Sequence, residues 1–471
     1  MTTVDLTPAT EPEVTAPRKR APIPPAARSA IIDRLNRQYA VVLIGGSVAV
    51  LREGRDPDGR PEVRLLGLDA FREWTRPEKY YSPDGGKAVP VAGVWLNDDR
   101  RRQYAGLVFE PGERRVDPSH YNLWKGFAVQ ASRAGSCQRF LDHVAENVCD
   151  GDEARFLWVM GWFAALVQRP GQKLGTALAL RGPMGVGKTI LGEVIGGLLG
   201  VHYQKVSDPR FVTGRFNAHL ANCLLLHLDE AVWAGDHTAA GRLKDIVTGA
   251  DQMIEYKGKE PLRVRNFTRV FISSNEDWVV PAGLEERRFC ILDVGTARLQ
   301  DRAYFQAMIR ELDEGGRARL MQYLLDFDTA DLPLDTPLAT AALREQQFSS
   351  LSPELAWWLD ILMQGKLPGD REGTGWTPTK AIHSSYLDHT QRRGVTRRGS
   401  ETQLGERLRR FVGEANTLVR AKRMMQTADG PARPWCYGFP PLAVCRAAFT
   451  RHLRGAPPWT ADGDADWEAA S

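Results

Sequence analysis

The sequence predicts an α/β protein whose core is a parallel β-sheet covered by helices on both faces. Three short runs with strand character carry this prediction, at residues 177–180, 223–228 and 269–273. Segments with helical periodicity separate them. Strands that alternate with helices in this way form parallel sheets buried on both sides.

The first of these strands leads into a glycine-rich loop and then a helix. Gly182, Pro183, Met184, Gly185, Val186, Gly187, Lys188 and Thr189 follow the pattern G-x-x-x-x-G-K-[ST]. This strand–loop–helix context is typical of the phosphate-binding loop of nucleotide hydrolases, whose backbone N–H groups and helix N-terminus hold phosphate. We predict that Lys188 reaches the β- and γ-phosphates of ATP and that Thr189 ligates Mg²⁺. The alternative interpretation is a glycine-rich turn without a ligand.

Polar side chains follow the other two strands. Asp229 and Glu230 end the run at 223–228, and Asn275 follows the run at 269–273. Phosphoryl transfer needs neutralised charge and a positioned water. Asp229 is therefore predicted to hold the Mg²⁺ shell, Glu230 to act as base and Asn275 to orient the attacking water. An acidic turn after an ordinary strand is the alternative for the first pair, and the upstream loop argues against it.

Two adjacent arginines, Arg287 and Arg288, lie just beyond the third strand. An arginine in this position suits a finger that stabilises transition-state charge, often on a neighbouring subunit. A surface salt-bridge cluster with Glu285 and Glu286 is the alternative. The sequence does not choose between the two arginines.

The order of these motifs resembles the superfamily 3 helicases of the AAA+ class, and more closely the helicase part of phage and plasmid primase–helicase proteins. The resemblance covers about residues 140–300. Two β-like runs flank Lys257, Gly258 and Lys259, and Gly258 permits a hairpin tip. In the family, a basic hairpin here enters the central channel of a ring and grips single-stranded DNA, which implies this role for Lys257 and Lys259. The resemblance also implies a hexamer and 3′-to-5′ movement.

Composition places the chain among ordinary soluble globular proteins, with 43% hydrophobic and 25% charged residues. The start has no signal-peptide pattern and no stretch reaches the length of a membrane span, so the expected compartment is the cytoplasm, without membrane contact. Six scattered cysteines give neither a zinc pattern nor a disulfide framework. The net charge is +4, but residues 377–454 carry 15 Lys and Arg against 5 Asp and Glu, so this segment is a candidate DNA-binding surface.

The predicted organisation has five parts. These are a disordered tail at 1–27, a mixed α/β accessory region at 28–136, a helical segment at 137–175, an ATPase core with a lid at 176–350, and a basic, winged-helix-like C-terminal domain at 351–471. The accessory region shows no acidic constellation for the two metals of a polymerising primase. The primase half of the resembled family is therefore expected on a separate primase or polymerase partner.

These observations lead to one main hypothesis and two alternatives. The main one is an ATP- and Mg²⁺-dependent, ring-forming DNA helicase or translocase in the replication of a phage, plasmid or other mobile element, with duplex DNA also bound by the C-terminal domain. A nucleotide-switched loader that binds DNA without unwinding it is the first alternative. A defence or signalling ATPase is the second. For the C-terminal domain, a basic helical bundle with no DNA role is the alternative.

Overall fold

A computed structural model gives the architecture of the chain. It describes residues 23–453 apart from 58, 84–87, 113–115, 231–236, 278, 281, 284–285, 371, 396–397, 413–417 and 428–429, together with 455, 457, 459 and 467. The tail predicted at 1–27 lies mostly outside these residues, and a helix already begins at Pro25. Of the described helices, none is long and apolar enough to cross a membrane.

The first region is a small sheet with three helices. Its elements are α1 (Pro25–Asn36), β1 (Tyr39–Ile44), β2 (Ser47–Arg55), β3 (Pro61–Leu66), α2 (Leu68–Trp74), β4 (Lys79–Tyr80), β5 (Val89–Pro90), α3 (Val91–Leu96), β6 (Gln103–Tyr104), β7 (Gly106–Val108) and β8 (His120–Asn122). The main sheet has the order β3-β2-β1-β6. The apolar run at 41–51, interrupted by Gly45 and Gly46, predicts a hairpin that turns at these glycines. The structure confirms it, because Ile44 pairs with Ser47 across β1 and β2.

Strand β1 is buried on both faces and joins two hydrophobic cores. Ala40 and Val42 pack into the large core of the central sheet, whereas Val41 packs with α1 and α3 in a smaller core. Successive side chains of a strand point to opposite faces, so this alternation follows directly from the apolar run. The N-terminal sheet is thereby fixed to the central part of the chain through one face.

Helices then lead into the central sheet. The elements are α4 (Gln138–Asp142), a π-helix (His143–Val148), α5 (Glu153–Gln168), β9 (Ala177–Arg181), α6 (Lys188–Leu199), a 3-10 turn (Gly200–His202), β10 (Tyr203–Val206), α7 (Arg210–Thr213), a 3-10 turn (Ala218–Leu220), β11 (Leu225–Asp229), α8 (His237–Thr248), β12 (Asp251–Ile254), β13 (Leu262–Arg265), β14 (Arg269–Ser274) and β15 (Phe289–Asp293). Helix α5 is apolar nearly all round and buried, as its sequence predicts.

The central sheet has five parallel strands in the order β10-β11-β14-β9-β15. The predicted parallel sheet is therefore confirmed. All six residues of β14 are buried, as suits an inner strand covered on both faces. Because the strands are parallel, the carboxyl ends of β9, β11 and β14 lie at one edge, where the glycine-rich loop follows β9.

Three helices follow the sheet, namely α9 (Arg302–Glu311), α10 (Arg317–Asp326) and α11 (Ala341–Ser349). The backbone leaves helical geometry at Gly315, with φ of 108°, between α9 and α10. The sequence also separates two segments of helical periodicity at Gly315 and Gly316. Helix α11 packs along β15, and the Thr340 hydroxyl at its start donates a hydrogen bond to the Ile291 carbonyl.

The C-terminal region has its own hydrophobic core. Its elements are α12 (Pro353–Gln364), β16 (Trp376–Pro378), α13 (Thr379–Arg392), α14 (Glu401–Val412), β17 (Val419–Lys422), β18 (Met425–Thr427), β19 (Gly430–Ala432), β20 (Trp435–Gly438) and α15 (Leu442–Leu453). Trp358, Tyr386 and Phe449 are among the buried residues of this core. The sequence offers residues 435–439 as a candidate wing strand. The structure has β20 there, at the centre of an antiparallel sheet of order β16-β20-β17.

Candidate functional site

The glycine-rich loop joins β9 to α6 in the strand–loop–helix geometry that its sequence predicts. Gly187 has φ of 94°, in the left-handed region, and is the residue before the first turn of α6. A Cβ at Gly187 would lie 2.6 Å from the His143 ring and 2.7 Å from the Phe305 ring. Glycine is therefore needed at this position for both conformation and space.

Lys188 is folded back onto the loop. Its Nζ donates to the carbonyl oxygens of Gly182, at 2.6 Å, and Pro183, at 2.8 Å, and the residue is 4% exposed. Burial lowers the pKa of the Lys188 ammonium, while the charges of Glu230 and Asp229 oppose that shift. The ammonium is thus held at the helix N-terminus by two neutral acceptors that an anion can replace.

Asp229 is the centre of a hydrogen-bonded cluster at the end of β11. Its Oδ1 accepts from the Thr189 hydroxyl at 2.9 Å and from the Ser273 hydroxyl at 2.6 Å, and its Oδ2 is 2.9 Å from Lys205 Nζ. Burial raises the pKa of the Asp229 carboxyl, but these hydrogen bonds outweigh burial and the net shift is downward. Asp229 is therefore an ionised acceptor placed beside Thr189.

Buried His227 and half-buried Tyr203 extend this cluster away from the loop. The His227 ring contacts the Ser273 hydroxyl through Nε2 at 2.8 Å and the Tyr203 hydroxyl through Nδ1 at 2.6 Å. Burial lowers the pKa of His227 to about 3, so the ring is neutral. Because the Ser273 hydroxyl donates to Asp229, it accepts from the His227 Nε2–H, and Nδ1 accepts from Tyr203.

Glu230 and Asn275 also meet at this edge of the sheet. The Asn275 backbone N–H donates to Glu230 Oε2 at 3.1 Å, and the Glu230 backbone N–H donates to the Ser273 carbonyl at 2.9 Å. Glu230 has φ of 56°, an uncommon conformation for a residue with a side chain. The structure therefore brings together Lys188, Thr189, Asp229, Glu230 and Asn275, five residues that the sequence singled out for one site.

Lys205, Ser273, His227 and Tyr203 belong to this cluster and were not predicted from the sequence. Pairing between strands places them there, because Asp229 lies opposite Ser273 and His227 opposite Lys205 in the parallel register. One available signal was His227 itself, a polar residue two positions before Asp229 in an apolar strand. Residues two apart share one face of a strand.

The two arginines have different surroundings. Arg288 Nη1 is 2.9 Å from the buried carboxylate of Glu286, which also lies 3.6 Å from Lys244 Nζ. Arg288 thus forms a salt bridge of the kind that the alternative interpretation predicts. Glu285, the other acid of that interpretation, lies outside the described residues. Arg287 is exposed, and no described carboxylate pairs with it.

Arg287 lies at the opposite edge of the sheet from the glycine-rich loop. The carbonyl of Arg288 accepts from the N–H of Ala177 at the start of β9, and the loop follows the end of β9. The five residues of β15 separate these edges by about 16 Å at the rise of a parallel strand. Arg287 also lines a cavity of about 290 Å³ that includes Arg344 of α11. Its guanidinium therefore does not reach the loop of its own chain.

The loop is also connected to α11. Arg181, the last residue of β9, pairs with Asp293 at 2.6 Å and with Glu345 at 2.5 Å. These two acids hold the pKa of the Arg181 guanidinium above its ordinary value. Glu345 is the neighbour in sequence of Arg344, so one short helix contacts both the end of β9 and the cavity with Arg287.

The predicted hairpin is present. Strands β12 and β13 are antiparallel, and the turn between them contains Gly258 with φ of 74°. Lys257 is exposed and Lys259 is half-buried. The Glu260 carboxylate accepts a hydrogen bond from the backbone N–H of Gly46 at 3.3 Å, so the hairpin tip touches the β1–β2 turn.

A family model described as "Family of unknown function (DUF5906)" matches residues 180–288, which include the loop, the acidic strand and the hairpin. The chain is similar to a DNA primase-polymerase of Nitratiruptor phage NrS-1, with 26% identity over 154 residues. That match covers 31% of this chain and 21% of the relative, so it spans about a fifth of the relative's length.

Solved structures of the NrS-1 C-terminal region have a similar fold. The apo structure of residues 305–718 has a TM-score of 0.58 at 16% identity and covers 86% of this chain and 97% of that chain. An apo structure described as its A form has a TM-score of 0.59 at 15% identity and covers 87% and 98%. The fold of this chain is thus similar to that of the NrS-1 C-terminal region.

Proposed function

We propose that this chain is an ATP hydrolase that moves along or unwinds DNA during replication of a phage, plasmid or other mobile element. The observation that carries the proposal is the arrangement of Lys188, Thr189 and Asp229 beside a glycine-rich loop. The sheet order, with β14 between β9 and β11, supports a P-loop core of the AAA+ class and a superfamily 3 helicase. Similarity to part of a phage DNA primase-polymerase supports the place in DNA replication.

The residues fit ATP and Mg²⁺. The backbone N–H groups of the loop and of α6 would bind phosphate oxygens, and Lys188 would exchange its two carbonyl acceptors for the β- and γ-phosphates. The hydroxyl of Thr189 and the carboxylate of Asp229 are hard oxygen ligands suited to Mg²⁺. The metal ion would neutralise phosphate charge, while Glu230 takes the proton of the attacking water and Asn275 orients that water.

Hydrolysis in this scheme needs a second copy of the chain. Arg287 is exposed and remote from its own loop, so it suits the nucleotide on a neighbouring copy. The pairing of Arg288 with buried Glu286 favours Arg287 over Arg288 as this finger. The assembly we propose is a homo-oligomeric ring, a hexamer by the superfamily 3 resemblance, with Lys257 and Lys259 contacting single-stranded DNA in its channel. A separate primase or polymerase would complete the replication machinery.

ATPase rates with and without single-stranded DNA test this proposal, measured for wild type and Glu230→Gln with mass photometry on the same samples. We expect DNA-stimulated hydrolysis, a ring-sized species, and loss of hydrolysis in Glu230→Gln. A monomer that hydrolyses ATP at a rate indifferent to DNA would contradict the ring and favour a signalling ATPase.

A loader that binds DNA without unwinding it is the second candidate. The observation that favours it is the contact of Glu260 with Gly46, which ties the hairpin tip to the N-terminal sheet. Lys257→Ala distinguishes the two candidates. It should abolish DNA stimulation of the ATPase in a translocase, and leave DNA binding intact in a loader that binds through the basic C-terminal region.

A further inference from the structure

One face of the β17–β20 pair combines an exposed aromatic ring with basic side chains. Lys422 lies opposite Trp435 in the antiparallel register, and Arg420 lies opposite Tyr437. Directly opposed residues, and residues two apart on one strand, project from the same face. These four side chains therefore share one face of the sheet.

Trp435 is the exposed aromatic residue of this face. It is 45% exposed, whereas Tyr437 is 6% exposed and lies beneath α14. A Cβ added at Gly405 of α14 would be 2.2 Å from the Tyr437 hydroxyl, so the helix packs directly against this part of the sheet. The Trp435 indole is therefore the aromatic part of this face that a ligand can reach.

Two cations flank the Trp435 ring. The Arg420 guanidinium carbon is 4.8 Å from the ring centroid and the Lys422 Nζ is 5.4 Å from it. In the described part of the chain, neither cation forms an ion pair with a carboxylate. Burial raises the pKa of Tyr437, and the positive charges of Arg420 and Arg409 act against that shift. Arg409 and Glu401 of α14 thus place one positive and one negative charge near Tyr437.

These features select the chemistry of the ligand. A ring bordered by two cations is complementary to a ligand that carries both negative charge and an aromatic face. A polyanion that also offers flat aromatic faces is a nucleic acid. Unpaired bases stack on aromatic side chains carried by sheets, whereas the bases of an intact duplex are already stacked on each other.

We propose that the surface formed by Trp435, Arg420 and Lys422 binds single-stranded nucleic acid, with one base stacked on the Trp435 indole and adjacent phosphates on the two cations. It rests on the proposed function only in taking nucleic acid as the ligand, and not on ATP hydrolysis. It differs from a duplex-binding role of the C-terminal region, because the ring requires an unpaired base.

Fluorescence anisotropy tests this proposal with the full-length chain, without nucleotide. The probes are a labelled thymidine oligonucleotide and a labelled duplex of equal length, each titrated at several salt concentrations. We expect Trp435→Ala to weaken single-strand binding roughly ten-fold, the loss of one base–aromatic stack, and to leave duplex binding unchanged. Trp435→Phe, which keeps a stacking ring, should recover most of the affinity.

A matched control is available in the N-terminal region. Trp74 is also exposed and has the Arg52 guanidinium carbon 4.6 Å from its ring centroid, so Trp74→Ala removes a similar ring from another surface. We expect Trp74→Ala to bind both oligonucleotides with wild-type affinity. Arg420→Gln combined with Lys422→Gln alters only exposed side chains. This double variant should reduce the slope of log affinity against log salt concentration for single-strand binding by about 1.4, which is about 0.7 for each lost phosphate contact.

If Trp435→Ala and the double glutamine variant both bind the single strand with wild-type affinity, this surface does not bind nucleic acid. An equal loss for single strand and duplex in Trp435→Ala would overturn the stacking of an unpaired base and favour duplex binding. The ATPase assay separates this result from the proposed function. A chain that binds the oligonucleotide through Trp435 but does not hydrolyse ATP upholds the surface and refutes the hydrolase.

Discussion

The cluster around Asp229 and the surface around Trp435 arrange polar groups in opposite ways. Asp229 receives three hydrogen bonds or ion pairs, and the cluster continues inward to the buried His227 ring. The described contacts of Trp435 with charged groups are limited to the cations on its own face. Groups that hold each other fixed suit chemistry at one position, whereas exposed groups suit a ligand that supplies the missing partners. Substitutions in the two regions should therefore affect different measurements.

The largest expected effect concerns the arginine that each copy would give to its neighbour. Arg287→Ala should lower the ATPase rate by about 10³-fold, the usual worth of an arginine finger, while oligonucleotide binding at Trp435 is unchanged. Lys188→Ala should also be inactive. A mixture of the two variants should regain activity, because some interfaces then pair an intact loop with an intact Arg287. Arg310→Ala, at another exposed arginine, is the control.

No recovery in the mixture, with ring assembly shown intact by mass photometry, would place Arg287 outside the hydrolytic site. Activity of Arg287→Ala close to wild type would have the same meaning. In either case the Asp229 cluster would have to act within a single copy.

A smaller effect is expected from Ser273→Ala, which removes the hydroxyl between His227 and Asp229. Loss of one hydrogen bond to a charged group costs about 1.5–3 kcal/mol, so the ATPase rate should fall by roughly 10- to 100-fold. Single-strand binding without nucleotide should stay unchanged, the reverse of Trp435→Ala. Ser273→Thr keeps the hydroxyl and serves as the control. Equal effects of Ser273→Ala on both assays would show that the two regions are not independent.

The dependence of stability on pH distinguishes the buried polar groups from the exposed ones. Burial lowers the pKa of His143 and His202 to about 4 and of His227 to about 3, from 6.5 in an unfolded chain. The unfolded state therefore binds protons below pH 6.5 that the folded state does not bind until about pH 4. Stability is fully present above this window and is lost as the pH falls through it.

Urea unfolding at intervals between pH 7 and pH 4 measures this loss. The midpoint should fall steadily, and His202→Gln should reduce the slope, because it removes one of the histidines whose pKa is lowered by burial. His120→Gln, at a more exposed position, is the control. A midpoint independent of pH in this window would show that these rings are not buried as neutral groups.

The smallest expected effect is at the hairpin tip. Glu260→Ala removes the acceptor of the Gly46 N–H, an exposed contact, and should change the free energy of unfolding by less than about 0.5 kcal/mol. Amide hydrogen exchange at residues 256–260 should nevertheless become faster. Glu314→Ala is a control at an exposed acid elsewhere. Unchanged exchange would mean that Glu260 does not restrain the hairpin.

The sequence predicted what depends on neighbours along the chain. The loop at Gly182–Thr189, the strand ending at Asp229 and the hairpin around Gly258 each have a local pattern, and the structure contains all three. Lys205 and Ser273 were missed because they reach Asp229 through pairing between strands, which no local pattern specifies. The catalytic roles of Glu230, Asn275 and Arg287 stay predictions.

The packing of the N-terminal sheet is a second feature that no local sequence pattern specifies. The turn at Gly45 and Gly46 was predicted from its glycines and flanking apolar runs, and it is confirmed. The sequence did not predict that one face of β1 joins the core of the central sheet, because an apolar run shows only that both faces are buried. Which surface covers each face depends on contacts distant in sequence.

The hydrogen bonds that lead from Tyr203 through His227 and Ser273 to Asp229 all point in one direction. Each group donates its proton toward the carboxylate, so Asp229 stays charged at neutral pH and has no proton to lose. A divalent ion that binds there would exchange with the Lys205 ammonium rather than with a proton. Its affinity should then respond to ionic strength and hardly to pH near neutrality, because the competition is between two cations.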